Sequence, residues 1–161
     1  MKQWVVDTNV PIVANGHSGS SHEKTPSVLC RLAAVKFLQN ILYSDQVLLD
    51  LEGEIQAEYP RGQPGVGDRF YLEVLRSSPD RVLRVDLPRR DDGEYADLPQ
   101  SPIDVGFDPS DRKFAALANR HGATVANATD SDWLDHHGVL MAERRTIHFV
   151  CGGDQARWFE S

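Results

Sequence analysis

The sequence predicts an α/β protein, a three-layer α/β/α sandwich built on a roughly five-stranded parallel sheet. Two observations predict it. Short apolar runs alternate along the chain with longer segments whose apolar residues recur every three or four positions, which is typical of parallel sheets with helices on both faces. The length of 161 residues, of which 40% are hydrophobic and 25% charged, suits one compact unit with a sizeable core, and we predict a single domain over 1–161.

Five short apolar or alternating runs predict the strands of the sheet. Each is bounded by polar residues, Gly or Pro, as strands in globular proteins commonly are. In chain order, the predicted strands are 4–6, 46–50, 81–87, 123–128 and 146–150.

The helical patterns lie between the predicted strands. The clearest runs from Val28 to Leu42, behind Thr25-Pro26, a pair typical of a helix start. Gly122 suits the position that follows a helix. In chain order, the predicted helices are 28–42, 54–59, 68–77, 108–121 and 132–144, with Gly138 as an alternative break in the last one.

Three stretches predict loops. Residues 15–25 (NGHSGSSHEKT) are rich in Gly and Ser, and 88–107 hold three Pro and several Asp, which predicts a long surface loop. The glycines of RGQPGVG, 61–67, suit either a turn or the approach of backbone N–H groups to a phosphate, and we favour the turn.

The composition of the chain argues against several classes of protein. A net charge of −7 disfavours non-specific nucleic-acid binding by the whole surface, although a cluster of cation-binding carboxylates would itself make the protein acidic. No apolar run approaches the roughly 20 residues that span a bilayer, and the start MKQ lacks the features of a signal peptide, so we expect no membrane contact and a cytoplasmic protein. Cys30 and Cys151 match neither a disulfide framework nor a zinc pattern, so we expect free, buried cysteines.

Acidic residues recur where predicted strands end. Asp7 ends the first strand and Asp130 follows the fourth, while Asp111 lies in the first turn of the helix before the fourth strand and Glu58 on the helix after the second. Any one of them has a structural interpretation, such as a turn at Asp7. Because parallel strands bring their carboxyl ends to one edge, where ligands bind in open α/β sheets, we expect the four acids to converge there.

Converging carboxylates predict a bound cation. Ionised acids at short range raise one another's pKa values, so such a group is stable near neutral pH mainly with a cation among them. Mg²⁺ and Mn²⁺ prefer oxygen ligands, and a metal held in this way activates water and neutralises the charge that develops on a phosphodiester. The pattern is therefore compatible with phosphodiester hydrolysis.

Acids near helix starts have competing structural roles. Asp108-Pro109 is typical of an N-cap followed by proline, so we assign Asp108 a mainly structural role, and Asp111 would then suit a capping box. Asp130 or Asp132 caps the helix after the fourth strand, and we favour Asp132 as the cap because an apolar run follows it directly.

Four stretches resemble motifs of PIN-domain nucleases, and the resemblance spans 4–150. They are VVDTNV (5–10), EIQAEY (54–59), DPSDRKFAALA (108–118) and ATDSDWL (128–134). The resemblance implies a five-stranded parallel sheet with three or four acids at one edge that bind Mg²⁺ or Mn²⁺ and cleave RNA. Many bacterial members are toxins paired with an antitoxin, others act in RNA processing, and many relatives dimerise.

The resemblance also implies roles for individual residues. The implied catalytic acids are Asp7, Glu58, Asp111 and Asp130, and the implied metal ligands are Asp7, Asp111, Asp130 and Asp132. Glu54 competes with Glu58 for the second place, and Thr8 or Asn9 would support Asp7 through hydrogen bonds. Arg112 and Lys113 follow Asp111 in the sequence and are candidate contacts to substrate phosphates. The sequence has no run of alternating basic and aromatic residues that would predict a surface on which bases stack.

Three hypotheses follow. The first is a metal-dependent endoribonuclease, with a toxin of a bacterial toxin–antitoxin or conflict system as one variant. The second is a catalytically weak PIN-like module that binds RNA or protein, which the presence of all four acids disfavours. The third is a receiver-like or phosphatase-like domain, which needs a Lys or Thr after a later strand, whereas Cys151-Gly152-Gly153 follows the fifth. The choice between RNA and single-stranded DNA stays open.

Overall fold

A computed structural model describes residues 1–18, 24–62, 64–142 and 146–161. The strands within these residues are β1 Gln3–Val6, β2 Gln46–Asp50, β3 Val82–Val85, β4 Thr124–Asn127 and β5 Thr146–Phe149. The helices are α1 Asn9–Ala14, α2 Val28–Ser44, α3 Glu54–Glu58, α4 Val66–Arg76, α5 Gln100–Asp104, α6 Arg112–His121, α7 Ser131–Asp135 and α8 His137–Ala142. Parts of three sequence predictions lie outside the described residues: 19–23 and Gln63 in predicted loops, and 143–144 in the last predicted helix.

The five strands form one parallel sheet in the order β3-β2-β1-β4-β5. The predicted α/β class and five-stranded parallel sheet are confirmed, and the strand ends differ from the prediction by no more than two residues. Central strand residues such as Val5, Val6 and Val125 are fully buried, as expected for strands covered on both faces. No helix within the described ranges is long and apolar enough to cross a membrane.

The strand order places a crevice beside β1. The chain proceeds from β1 to β2 and β3 on one side, and then crosses to β4 and β5 on the other side. In open α/β sheets, ligands bind where the strand order reverses in this way, at the carboxyl ends of the strands. The order also differs from the 2-1-3-4-5 order of receiver domains, which argues against the receiver-like hypothesis.

Two short helices were not predicted from the sequence. They are α1, Asn9–Ala14, and α5, Gln100–Asp104, which interrupts the predicted loop 88–107. Each has a proline near its start, Pro11 and Pro102, where the missing N–H costs no intrahelical bond. Helices of five or six residues show no full apolar period, so composition alone indicated turns and loop at these positions.

The later helices begin and end differently from the prediction. Asp108 does not open α6, because its carboxylate accepts hydrogen bonds from the backbone N–H and the hydroxyl of Ser110, both at 2.8 Å, and forms a turn. The helix therefore begins at Arg112. The final predicted helix is two helices, α7 and α8, separated at His136 rather than at Gly138.

The glycines of the 61–67 stretch serve helix packing. A Cβ on Gly67 would lie 2.0 Å from the carbonyl oxygen of Pro11, so only glycine allows α1 and α4 this close an approach. The side chain of Asn15 accepts a hydrogen bond from the backbone N–H of Gly67 at 2.8 Å and donates one to Asp68 at 2.6 Å. Gly67 lies in the stretch predicted as a turn, but the structure places it in α4, in a tight contact between two helices.

The two cysteines form a disulfide, so the prediction of free thiols was wrong. They are 121 residues apart in sequence, but the start of α2 lies beside the end of β5, and their Cα atoms are 4.7 Å apart. The chain after Cys151 then returns to α2, where Ser27 N–H donates to the Trp158 carbonyl at 2.8 Å and Glu160 N–H donates to the Thr25 carbonyl at 2.9 Å. The separation of the two cysteines in the sequence therefore could not predict that they lie close together in the fold.

The contact between α1 and α4 gives a stability prediction. We expect Gly67→Ala to lower the free energy of unfolding by about 1–3 kcal/mol, because its methyl group would overlap the Pro11 carbonyl. Gly138 is a matched control, since it is also the second residue of its helix, but a methyl group added there would meet no atom of the described residues within 4 Å. Gly138→Ala should be neutral or stabilising in the same urea titration. Equal effects of the two substitutions would contradict the packing role.

Candidate metal centre

Three acids meet where β1 and β4 end. Asp7 directly follows β1, Asp130 follows β4 by a short turn, and Asp111 precedes α6. One carboxylate oxygen from each lies within 4.8 Å of the other two. Asp7 and Asp111 are buried, with 3% and 6% of their surface exposed, and Asp130 is partly buried. The structure therefore brings three of the four implied catalytic acids together at the edge where the sequence predicted them.

Asp7 is held by donors from two distant parts of the chain. Its Oδ1 accepts hydrogen bonds from the backbone N–H of Asn9 at 3.1 Å and from Asn9 Nδ2 at 2.8 Å. Its Oδ2 accepts a hydrogen bond of 2.6 Å from the indole N–H of Trp133, which is fully buried. Both oxygens thus have a fixed direction. Trp133 was not predicted as a site residue, because a tryptophan in an apolar run indicates core packing.

Asn9 also joins the ends of β1 and β4. Its Nδ2 donates to Asn127 Oδ1 at 2.8 Å, and its Oδ1 accepts from the backbone N–H of Ala128 at 2.6 Å. The side chain is buried, so these bonds form in a protected environment. Of the two candidate supports for Asp7, the structure places Asn9 against it, whereas the hydroxyl of Thr8 donates to Glu58 at 3.1 Å.

Asp111 and Asp130 both stand at helix starts but differ in their bonding. Asp111 is the N-cap residue of α6, and its side chain makes no capping hydrogen bond, which leaves its carboxylate available to the acidic group. Asp130 caps α7 by accepting a hydrogen bond from the backbone N–H of Asp132 at 3.0 Å. The expectation that Asp132 is this cap was therefore wrong, and the cap comes from an acid of the cluster.

Asp132 lies outside the group of three. One of its oxygens accepts a hydrogen bond from the backbone N–H of Asp108 at 2.8 Å, and the other lies 3.0 Å from His136 Nδ1. These contacts tie the start of α7 to the turn before α6. Within the described part of the chain, the side chain adds no oxygen to the acidic group.

Glu58 lines the cavity into which the three acids open, without joining their group. Its carboxylate forms an ion pair with Lys113 and accepts the hydrogen bond from Thr8. Its competitor Glu54 is engaged elsewhere, because it binds Arg89 at 3.0 Å and accepts from the Tyr95 hydroxyl at 2.8 Å. Of the two glutamates, the structure therefore places Glu58 near the other acids.

The two predicted phosphate contacts have partners within the protein. Arg112 donates to the Phe107 carbonyl at 2.9 Å and to Glu94 at 2.5 Å. Lys113 is buried, with its ammonium group between Glu58 and the Ser110 carbonyl, the latter at 3.0 Å. Both side chains are thus committed to structural contacts.

The acids line a cavity of about 810 Å³, a volume ordinary for a ligand site. Three residues from distant segments complete its wall, Lys24, Gln155 and Phe159. None of them was identified from the sequence, because they come from the segment before α2 and from the end of the chain.

Burial and mutual repulsion change the acidity of the group. Burial, followed by the charge of Asp130, raises the pKa of Asp7 to about 7. Burial, followed by the charges of Asp7 and Asp130, raises the pKa of Asp111 to about 10. The pKa of Asp130 is also raised, chiefly by burial. In the absence of a cation, the group therefore retains protons at neutral pH.

This acidity predicts how stability depends on pH. The pKa values of Asp7 and Asp111 are higher in the folded protein than the 3.8 of a free side chain, so the folded state binds more protons and stability falls as pH rises. The lowered pKa values of His121 and His148 act in the opposite direction, but only below about 6.5. In EDTA, the melting temperature should therefore fall between about pH 7 and about pH 9.

Asp111→Asn tests the source of this dependence. The amide cannot ionise and can still donate a hydrogen bond to Asp130, so the fall in melting temperature should be shallower than in the wild type. Asp135→Asn, at an exposed position on α7, is the matched control and should keep the wild-type slope. A wild-type slope in Asp111→Asn would show that this carboxyl group does not carry the proton.

A solved structure is similar to this chain. No protein-family model matches the chain, and no curated protein matches it. Among solved structures, the one titled "Structure of FitAB bound to IR36 DNA fragment" is similar, with 18% sequence identity, a TM-score of 0.48, and coverage of 91% of this chain and 94% of that chain. At this level the likeness concerns the fold alone, and the function is inferred from the site itself.

Proposed function

We propose that the protein is a metal-dependent endoribonuclease of the PIN-like type. The observation that carries the proposal is the group of three carboxylates at the point where the strand order reverses, with Asp7 and Asp111 buried and Asp130 partly buried. The parallel sheet with an acidic edge is also what the resemblance to PIN-domain nucleases implies. A cluster of buried acids with raised pKa values is typical of functional sites.

The donor set fits a hard divalent cation. Each of the three acids offers a carboxylate oxygen within 4.8 Å of the others, and among the described residues none of the three forms an ion pair with Lys or Arg. Oxygen ligands and uncompensated negative charge favour Mg²⁺ or Mn²⁺ over softer metals. When bound, such an ion lowers the pKa of water and stabilises charge on a phosphate. We assign Asp7, Asp111 and Asp130 as ligands, and Asp132, also implied as a ligand, has no position in this group.

Residues of the chain orient and support the site. Asn9 and Trp133 fix the two oxygens of Asp7, which keeps the ligand geometry in place before substrate arrives. We assign Glu58 to accept a proton from the attacking water, because it lies on the cavity wall and its side chain is 38% exposed. Lys113 and Thr8 hold Glu58 in position. None of these acids acts as a covalent nucleophile.

The proposal extends to substrate and partners. RNA, single-stranded or structured, is the proposed substrate, and an antitoxin or another protein is the proposed partner, as the resemblance to PIN-domain toxins implies. A homodimer and a cytoplasmic location belong to the same proposal. Phosphate contact by Arg112 or Lys113 would require each of them to release its present acidic partner, Glu94 or Glu58.

A cleavage assay tests the proposal. Purified protein should cut single-stranded and structured RNA with Mn²⁺ and lose this activity in EDTA. Asp7→Asn should reduce the rate at least about 100-fold, because removal of a ligand costs more than the roughly 10- to 100-fold that outer contacts cost. Trp133→Phe replaces the indole with a smaller aromatic ring and removes the donor to Asp7, so it should fall within that outer range. The exposed control Asp135→Asn should retain wild-type activity.

Two results would contradict the proposal. Absence of cutting by folded protein that binds Mn²⁺ would favour the alternative of a PIN-like binding module. Cutting that survives Asp7→Asn would show either a contaminating nuclease or a different active site.

A further inference from the structure

The far end of the chain forms one wall of the acidic cavity. Phe159 and Gln155 line the same cavity as Asp7 and Asp111, and Lys24 completes this wall from the segment before α2. We call Lys24, Gln155 and Phe159 the tail wall. Phe159 is half-buried, and Lys24 and Gln155 are exposed. An aromatic ring and a flexible cation therefore border a space whose other charged side chains are acidic.

The tail wall has a fixed backbone. Ser27 N–H donates to the Trp158 carbonyl at 2.8 Å, and Glu160 N–H donates to the Thr25 carbonyl at 2.9 Å, one bond on each side of Phe159. Trp158 is fully buried, and its indole N–H donates to the Gly152 carbonyl at 2.7 Å. A backbone held in this way loses little conformational entropy when a ligand binds. The backbone that carries Phe159 is thus fixed at the cavity wall.

Charge defines what this wall accepts. Among the described residues that line the cavity, Lys24 alone carries a positive side chain, and the acids of the same lining include Glu58 and Asp108. Its ammonium nitrogen lies 5.5 Å from the centroid of the Phe159 ring, within the range of a cation–π contact. A polynucleotide carries a phosphate and a base at every residue, so it offers one group to the lysine and one to the ring.

We propose that the tail wall binds one unpaired nucleotide next to the bond that is cut, and so selects single-stranded segments of the substrate. Phe159 stacks on the base and Lys24 contacts the adjoining phosphate. A paired base cannot present its face to the ring, whereas every unpaired base has such a face, so the wall gives a preference for single strands with little preference for sequence. This inference rests on the proposed nuclease function and adds the two residues, Phe159 and Lys24, that contact the substrate beside the acids.

A binding measurement separates this inference from catalysis. The ligand is a short, fluorescently labelled, single-stranded oligonucleotide with 2′-O-methyl groups and phosphorothioate linkages, chosen to resist cleavage, and the titration contains Mn²⁺. Phe159→Leu should weaken its binding about tenfold, because base stacking on an aromatic ring is lost. Phe159→Tyr keeps the ring and should bind as the wild type does. Tyr43→Leu removes an aromatic side chain that is 85% exposed on α2, outside this cavity, and should have no effect.

Lys24→Gln is a second variant, and because Lys24 is exposed, we expect the substitution to leave folding unchanged. It should weaken binding at every salt concentration tested and reduce the slope of log affinity against log salt by about 1. The same oligonucleotide in duplex form should bind more weakly than the single strand, with no change upon Phe159→Leu. Melting temperatures verify that each variant is folded.

The outcomes distinguish the two proposals. Binding by Phe159→Leu equal to that of the wild type, with an unchanged salt slope in Lys24→Gln, would overturn the tail-wall inference even if the protein cuts RNA. Equal affinity for duplex and single strand would also overturn it. If the wild type binds single strands through Phe159 but no variant or condition yields cutting, the tail wall is a binding site for single strands and the nuclease proposal fails.

Discussion

Electrostatic repulsion among three carboxylates, two of them buried and the third partly buried, is the constraint on which the site depends. Asp7, Asp111 and Asp130 share one edge of the sheet, and burial and proximity raise all three pKa values. Placing these groups together does not stabilise the folded state, because charged groups lose hydration when they are buried. Two consequences follow: protons occupy the group when no cation is bound, and a cation that binds there must displace them.

The fold opposes this repulsion with hydrogen bonds from neutral donors. Asn9 binds Asp7 and also bridges to Asn127 and Ala128, so one side chain joins the ends of β1 and β4 and orients a carboxylate. Trp133, on α7, also donates a hydrogen bond to Asp7 and orients its carboxylate. Neutral donors fix the direction of an acid without neutralising it, which leaves its charge for a metal. The point at which the strand order reverses therefore holds both the hydrogen bonds that join β1 to β4 and the candidate metal centre.

Sequence patterns predicted positions along the chain more reliably than contacts across it. Asp7 and Asp130 could be identified because strand ends in a parallel sheet share an edge, and this rule needs only the order of elements. The bond from Trp133 to Asp7 joins residues 126 positions apart, and the disulfide joins residues 121 apart. Such pairings depend on how helices pack, which apolar periodicity does not specify. The requirement for glycine at Gly67 likewise depends on the approach of a second helix.

The most direct measurement is calorimetric titration of the protein with Mn²⁺ near pH 7, repeated in buffers with different ionisation enthalpies. Because the pKa of Asp111 is about 10 and that of Asp7 about 7, binding of the ion should release about one proton or more to the buffer. Asp111→Asn should weaken binding and release fewer protons. Binding with no proton release, or with the same affinity and proton release in Asp111→Asn, would contradict a metal centre built on these three carboxylates.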